Sequence, residues 1–264
     1  MSACFCSSAS QEREHLQSLT LAPTNAFFFP KTCYSDSKLV SHSATTLTYR
    51  STSSFDQSGE FETADKKHTI VVQNRTRALS FEPIIVYRDD EDSVVAVSKG
   101  TMGLTEDTYV IYRGAPSYEG QAPERDPTHG LDDVLGSYYP WAEITTKRGL
   151  TSAVNEFRCF EQGGSPDAPK RSDALYRGVK LSAMEFLGKV STASGDLVGK
   201  SYTTGAGCRS TYVVEVASHA DMIAIICTAA ALQSNAGGTT GALSAGGSSS
   251  AAGAARHRAP ALPP

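Results

Sequence analysis

The clearest pattern of hydrophobic and polar positions lies between Thr211 and Leu232. Tyr212-Val-Val-Glu-Val216 reads as a strand. After a short polar stretch holding Ser218, His219 and Asp221, the chain turns apolar on every side. From Met222 to Leu232 only Cys227 and Thr228 interrupt the hydrocarbon. A surface helix has an apolar stripe and a polar face; this segment has no polar face and must be surrounded. Spanning a bilayer takes about 20 apolar residues, roughly twice this run, so protein is expected to enclose it rather than lipid. Ser218 reads as the N-cap, with the acid Asp221 three residues on. The pattern predicts a helix of about 15 residues, about 22 Å long, with Met222, Ile223, Ile225, Ile226 and Leu232 as core side chains.

Upstream, the pattern becomes short β-branched or alternating runs between turns. Strands are expected at 43–50, 59–63, 69–73, weakly at 78–81, and at 84–88 and 93–99. These last two flank the acidic turn Asp89-Asp-Glu-Asp92 as a hairpin. More follow at 108–113, within 138–148, and at 153–161, 177–181, 184–191, 197–203 and 212–216. About a dozen strands and one strong helix exclude a βαβ architecture. A dozen strands closed into a barrel enclose more space than their own side chains readily fill, and an all-apolar helix would fill it. The expected fold is therefore mainly β, an approximately twelve-stranded β-barrel closed around a buried C-terminal hydrophobic helix.

Composition divides the 264 residues into three parts. Residues 236–264 are almost entirely Gly, Ala, Ser, Thr and Pro, a tail that cannot bury a core and is expected to be disordered. Residues 1–37 are Ser-rich and expected to be largely irregular, with a short helix near Gln11–Leu19. The barrel is expected over 38–235, about 195 residues and ample for a single core. No basic start followed by a long apolar run marks a secretory signal. The six cysteines (Cys4, Cys6, Cys33, Cys159, Cys208 and Cys227) have no CxxC or zinc spacing, so reduced thiols in a cytoplasmic protein are expected. The sequon Asn74-Arg-Thr76 is then idle. Cys4 and Cys6 are possible acylation sites, with two exposed thiols on a tail as the plainer reading.

Several segments resemble a known family. Tyr212 to Leu232 resembles the closing strand and central helix of the LURP-one-related family. Pro83 to Lys99 is similar to that family's strand–turn–strand ending in a basic residue, and Thr108-Tyr-Val-Ile-Tyr-Arg-Gly114 to the strand that follows. Glu185–Lys200, turning at Gly195-Asp196, fits a later hairpin. The resemblance runs in order from about Lys38 to Gln233. It implies the barrel-around-a-helix fold of tubby C-terminal domains and phospholipid scramblases. Two departures stand out: Tyr109 where Trp is usual, and a long polar insert at 115–136.

Catalytic motifs are missing from the sequence: there is no nucleophile elbow, His-Glu-x-x-His or phosphate loop. The Gly-rich run at 237–247 lacks a flanking strand and helix. The histidines have no ligand spacing, and His219 beside Asp221 reads as part of a cap. Asp126, Asp132 and Asp133 do not form an EF-hand loop. No cofactor, metal or nucleic acid is expected. Tubby-like domains bind phosphoinositide headgroups through basic side chains, so the resemblance implies a non-enzymatic binding module for anionic phospholipid, peripheral at a membrane. The headgroup candidates are Lys66, Lys67, Arg75, Arg77, Lys147 and Arg148, with Lys170-Arg171 as a further pair. Against this stand the net charge of −4 and the shortness of each pair, since a basic residue near an anionic surface contributes about 1 kcal/mol. The alternatives are a protein-binding adaptor and an enzyme with an unrecognised site.

Overall fold

The computed structural model describes residues 3–23, 39–40, 42–51, 58–66, 68–76, 82–103, 105–125, 135–149, 152–165, 168–182, 186–204 and 211–233. The strands are β1 (Thr45–Ser51), β2 (Gly59–Thr63), β3 (Thr69–Asn74), β4 (Ile84–Arg88), β5 (Val94–Met102), β6 (Glu106–Arg113), β7 (Tyr139–Arg148), β8 (Ala153–Ser165), β9 (Ala168–Arg171), β10 (Tyr176–Lys180), β11 (Gly188–Thr192), β12 (Leu197–Thr204) and β13 (Thr211–Val216). They pair antiparallel in the order β10-β11-β12-β13-β1 and then consecutively to β8. The ring closes where β8 returns to β10, with Phe157 opposite Tyr176 and Val154 opposite Val179. Twelve strands make the barrel. The thirteenth, β9, pairs with the second half of β8, from Phe160 onward, which runs past the closure. The sequence reading stopped at Glu161 and missed β9; its four residues, Ala-Pro-Lys-Arg, carry no alternating signal and include a proline, which suits an edge strand. The weak strand expected at 78–81 and the acids Asp126, Asp132 and Asp133 lie outside the described residues, as does the tail.

The lumen holds α2 (Met222–Gln233). Met222 to Ala229, Ala231 and Leu232 are all buried, with Ile223 and Ile225 fully so. Around them pack inward side chains from the strands, among them Leu47, Phe61, Ile70, Val72, Ile111, Trp141, Phe157 and Val190. Burying each large aliphatic side chain of α2 contributes about 1.5–3 kcal/mol. At Gly199 on β12 an added Cβ would stand 2.7 Å from Ile225 Cγ2 and 3.3 Å from Val190 Cβ, so the strand reaches the helix only because a side chain is absent there.

Two expectations are corrected. The helix has 12 residues, not about 15, and its N-cap is Asp221, not Ser218. Asp221 Oδ1 accepts the Ala224 amide at 2.8 Å, and its carbonyl accepts the Ile225 amide at 3.1 Å. Ser218 and His219 instead form the turn that swings the chain from β13 into the lumen, with His219 at φ 62°. The segment 1–37, expected to be largely irregular, contains α1 (Ala3–Ser18). Leu16 packs with Leu187, Tyr202 and Val213 on the outside of the barrel. The end of α1 is held by Lys200, whose Nζ donates to the carbonyls of Leu19 (2.9 Å) and Gln17 (3.2 Å) and pairs with Glu215 (2.9 Å). A cation answers the unsatisfied carbonyls and negative dipole of a helix C-terminus. The side chains of Cys4 and Cys6 lie outside the described residues.

The connection between β6 and β7 covers a second apolar surface. Tyr138 and Leu135 lie over Ile84, Val86, Val97 and Tyr112 on the outer face of β4–β6. The backbone amide of Glu124 donates to the Tyr138 carbonyl at 2.8 Å.

The enclosure of α2 sets a prediction. Ile225→Ala should cost about 2–5 kcal/mol in urea unfolding, the usual range for emptying a core site, and Ile225→Asp should abolish the cooperative transition. An Ile225→Asp protein melting at the wild-type temperature would refute the lumenal position of the helix.

Candidate functional site

The barrel has two chemically different ends. At the cap end, where α2 begins, Arg113 Nη2 meets Asp221 Oδ2 at 3.1 Å, with both side chains buried. The guanidinium also lies 3.6 Å over the Trp141 ring. Asp221 thus caps the helix and neutralises a buried cation, and every partner in this arrangement is internal. Deeper in the lumen, burial pushes the Cys227 thiol up to about 12. The Tyr87 phenol, hydrogen-bonded to that thiol, is raised by burial first and by the thiol second.

At the far end, the headgroup candidates do not converge. Lys66 is exposed in the β2–β3 turn, which lies at the cap end. Arg75 is exposed just after β3, at the far end, and donates to Gln73 Oε1 at 3.2 Å. Lys67 and Arg77 lie outside the described residues. Lys147 and Arg148 sit on β7, four strands round from β3. They also point to opposite faces, as strand neighbours must. Lys147 is exposed outside the barrel. Arg148 faces the lumen, its side chain 10% exposed and paired with the fully buried Asp107. Burial holds the Arg148 pKa below its ordinary value. Arg148, a headgroup candidate in the sequence, therefore does not share the outer face with Lys147.

Lys147 instead joins residues that the sequence reading did not single out. On the outer face, cross-strand pairing lines up Glu106, Lys147, Val154, Val179, Lys189 and Lys200 from β6 to β12. In the next row toward the cap end stand Thr145, Glu156, Arg177 and Ser191. Arg158 bonds Glu156 at 2.6 Å, and Arg171 bonds Glu143 at 2.6 Å. The Arg158 hydrogen bond, with the nearby charges of Lys147 and Arg177, holds the Glu156 carboxyl below the usual carboxylate range. Among the described residues, the outward side chains of β6–β11 include five cations (Lys147, Arg158, Arg171, Arg177 and Lys189) against three carboxylates (Glu106, Glu143 and Glu156), on a chain of net charge −4. Val154 and Val179, both half-buried, lie between Lys147 and Lys189. The signal for Arg158, Arg177 and Lys189 was their place on the outward parity of each strand, but only the β8–β10 closure brings them together.

Comparison with known proteins adds a likeness of shape. No family model matches the chain, and no curated protein does. An X-ray structure of a protein from Arabidopsis thaliana aligns over 73% of this chain and 91% of its own, at 14% identity and a TM-score of 0.43. Among the described residues, no helix is long and apolar enough to cross a membrane, and no group of three or more His, Cys, Asp or Glu could hold a metal ion.

Two predictions rest on the buried polar groups. Asp221→Asn keeps a capping side chain but strips Arg113 of its counter-charge, so it should cost about 3–5 kcal/mol. Adding Arg113→Met should recover part of that loss in a double-mutant cycle. A single variant within 1 kcal/mol of wild type would refute the role of the pair. The second concerns pH. Burial raises Cys227 and Tyr212 to about 12, and raises Tyr87, Tyr112, Tyr176 and Tyr202 as well. The unfolded chain releases these protons first, from about pH 9 upward, while the folded chain keeps them. Their contribution is thus intact below about pH 9 and lost as pH rises toward the folded values. Melting temperature should fall steadily from pH 9 to 11, and Cys227 should resist alkylation at pH 8 until the protein unfolds. A flat melting profile to pH 11 would contradict this.

Proposed function

We propose that this protein is a non-enzymatic binding module of the LURP-one-related, tubby-like kind, docking on anionic phospholipid headgroups through the outer face of β7, β8, β10 and β11. The observation that supports the reading is the excess of cations around Val154 and Val179 on an otherwise acidic chain. Among the described residues, Lys147, Arg177 and Lys189 are the cations of this face outside its ion pairs. At about 1 kcal/mol per basic residue near an anionic surface, the three supply about 3 kcal/mol, a weak and reversible attachment to which the two valines add apolar contact. Such an attachment is screened within a Debye length of about 8 Å at physiological salt, so it strengthens sharply at low salt. The ligand class is the phosphate-bearing headgroup, the setting is the cytoplasmic face of a membrane, and the protein is peripheral there. A protein partner with an acidic surface is the competing occupant of the same face.

Flotation of the full chain with phosphoinositide-containing liposomes, at low and physiological salt, tests the reading. Binding should depend on the headgroup and weaken with salt. The triple variant Lys147→Glu, Arg177→Glu, Lys189→Glu should lose at least tenfold in affinity, about 1.4 kcal/mol. Reversing Lys66 and Arg75 should change little. Absence of binding at either salt would discard the lipid reading and favour the protein partner.

A further inference from the structure

We infer that the far mouth of the barrel is a binding site for a small phosphate-type oxyanion, held between Arg148 and Lys180 above Thr146 and Asn155. The lumenal face there is unlike the rest of the core. Cross-strand pairing sets Asp107, Thr146, Asn155 and Gly178 in one inward row across β6, β7, β8 and β10. One step nearer the end, Arg148 is opposite Ala153, and Lys180 follows Val179, the partner of Val154. Arg148 and Lys180 therefore flank a residue with a single methyl group, on the two strands either side of β8.

The site is incomplete in two independent ways. Among the described residues Lys180 has no carboxylate within ion-pair distance, although it is half-buried. Burial first, and then Arg148, hold its pKa below the ordinary lysine value. Beside it, Thr146 Oγ1 and Asn155 Oδ1 are buried without a hydrogen-bond partner, on residues with no exposed surface. Such groups are costly when left unmatched. Asn155 is not free to turn away. Its Nδ2 donates to the Thr228 carbonyl of α2 at 2.7 Å, which aims Oδ1 toward Gly178, where any side chain would collide with it. A cation is also favoured near the C-terminus of α2, but that accounts for neither Thr146 nor Asn155.

The unmatched groups specify the ligand. Lys180, beside the Arg148–Asp107 pair, asks for an oxyanion. The Thr146 hydroxyl can donate to one of its oxygens. Asn155 Oδ1 accepts, so the ligand must also bring an O–H. Hydrogen phosphate has both, as does a phosphomonoester with a neighbouring hydroxyl; chloride satisfies only the cations. Asp107 already balances Arg148, so among the described residues the site carries about one net positive charge and suits a small anion. The inference does not depend on membrane docking, although Lys147 and Lys189 stand on the same rim and would bring a headgroup phosphate to this mouth.

The test uses inorganic phosphate and the full chain. Phosphate should raise the melting temperature saturably, above sodium chloride of equal ionic strength. Lys180→Met should abolish that rise, and so should Thr146→Val, which removes a buried unmatched hydroxyl and should leave the phosphate-free melting temperature unchanged or higher. A phosphate effect equal to that of chloride, or a Lys180→Met protein with the full response, would overturn the proposal. Vesicles containing phosphatidic acid, with and without free phosphate, identify the source. Competition by phosphate supports the site with a lipid headgroup as its occupant. Phosphate stabilisation without vesicle binding supports it with a soluble phosphate, and counts against membrane docking alone.

Discussion

A helix with no polar side is stable in water only inside something, and the rest of this fold is built around that requirement. Twelve residues from Met222 to Gln233 must be surrounded on every side. One sheet does this by curling until β8 meets β10. The helix then stands in for the side chains that a twelve-strand lumen lacks. The strands concede space in return: Gly199 and Gly178 sit where a Cβ would strike Ile225 or Asn155. Enclosure also dictates how the chain gets in. It leaves β13 on the barrel wall and must reverse into the lumen within a few residues, which places His219 in the left-handed region and puts the cap, Asp221, below the rim.

Burying the start of a helix leaves amides that need partners away from water. The two halves of α2 are served by different polar groups. At the cap end one carboxylate serves the Ala224 amide and Arg113 together, and the indole of Trp141 covers the guanidinium. Desolvating two charges is offset only when their remaining hydrogen-bonding capacity is satisfied, and here the helix itself supplies part of that satisfaction. In the far half of α2 the amide of Asn155 adds a second donor to the Thr228 carbonyl, while its own oxygen and the Thr146 hydroxyl remain unmatched. Polar groups thus gather toward both ends of the lumen: Asp221 serves the helix and Arg113 at one, and Thr146 and Asn155 lie near Lys180 at the other.

The parts of the fold legible in the sequence were those that depend on local pattern. Burial of α2 followed from its lack of a polar face, and the 84–88 and 94–102 hairpin from two β-branched runs about an acidic turn. The misreadings arose where tertiary geometry outranked local pattern. Ser218 looked like the cap because it precedes the apolar run at the right distance, yet those residues were needed to turn the chain. The helix α1 lacks a strong apolar stripe, and its docking rests on Leu16 and on Lys200 from a strand far along the chain.

The candidate site was less legible for a reason that applies to any strand-built surface. Basic residues adjacent in sequence catch the eye, but on a strand they diverge. Lys147 looks out and Arg148 looks in, so the two charges leave the strand on opposite faces. Convergence on a sheet comes instead from alternate residues and from cross-strand neighbours, which here means Glu156 and Arg158 on β8, Arg177 on β10 and Lys189 on β11. Which strand lies beside which is decided by the closure of the barrel, a long-range event with no mark in any one segment. Separating Lys147 from Arg148 also divides the work at the far rim: one belongs to an outer face that can lie against an extended anionic surface, the other to a narrow mouth that can hold a single oxyanion. Charge alone attracts both kinds of ligand, but only the mouth, with Thr146 and Asn155 near the cations, has the hydrogen-bonding groups to distinguish an oxyanion bearing an O–H from a simple anion such as chloride.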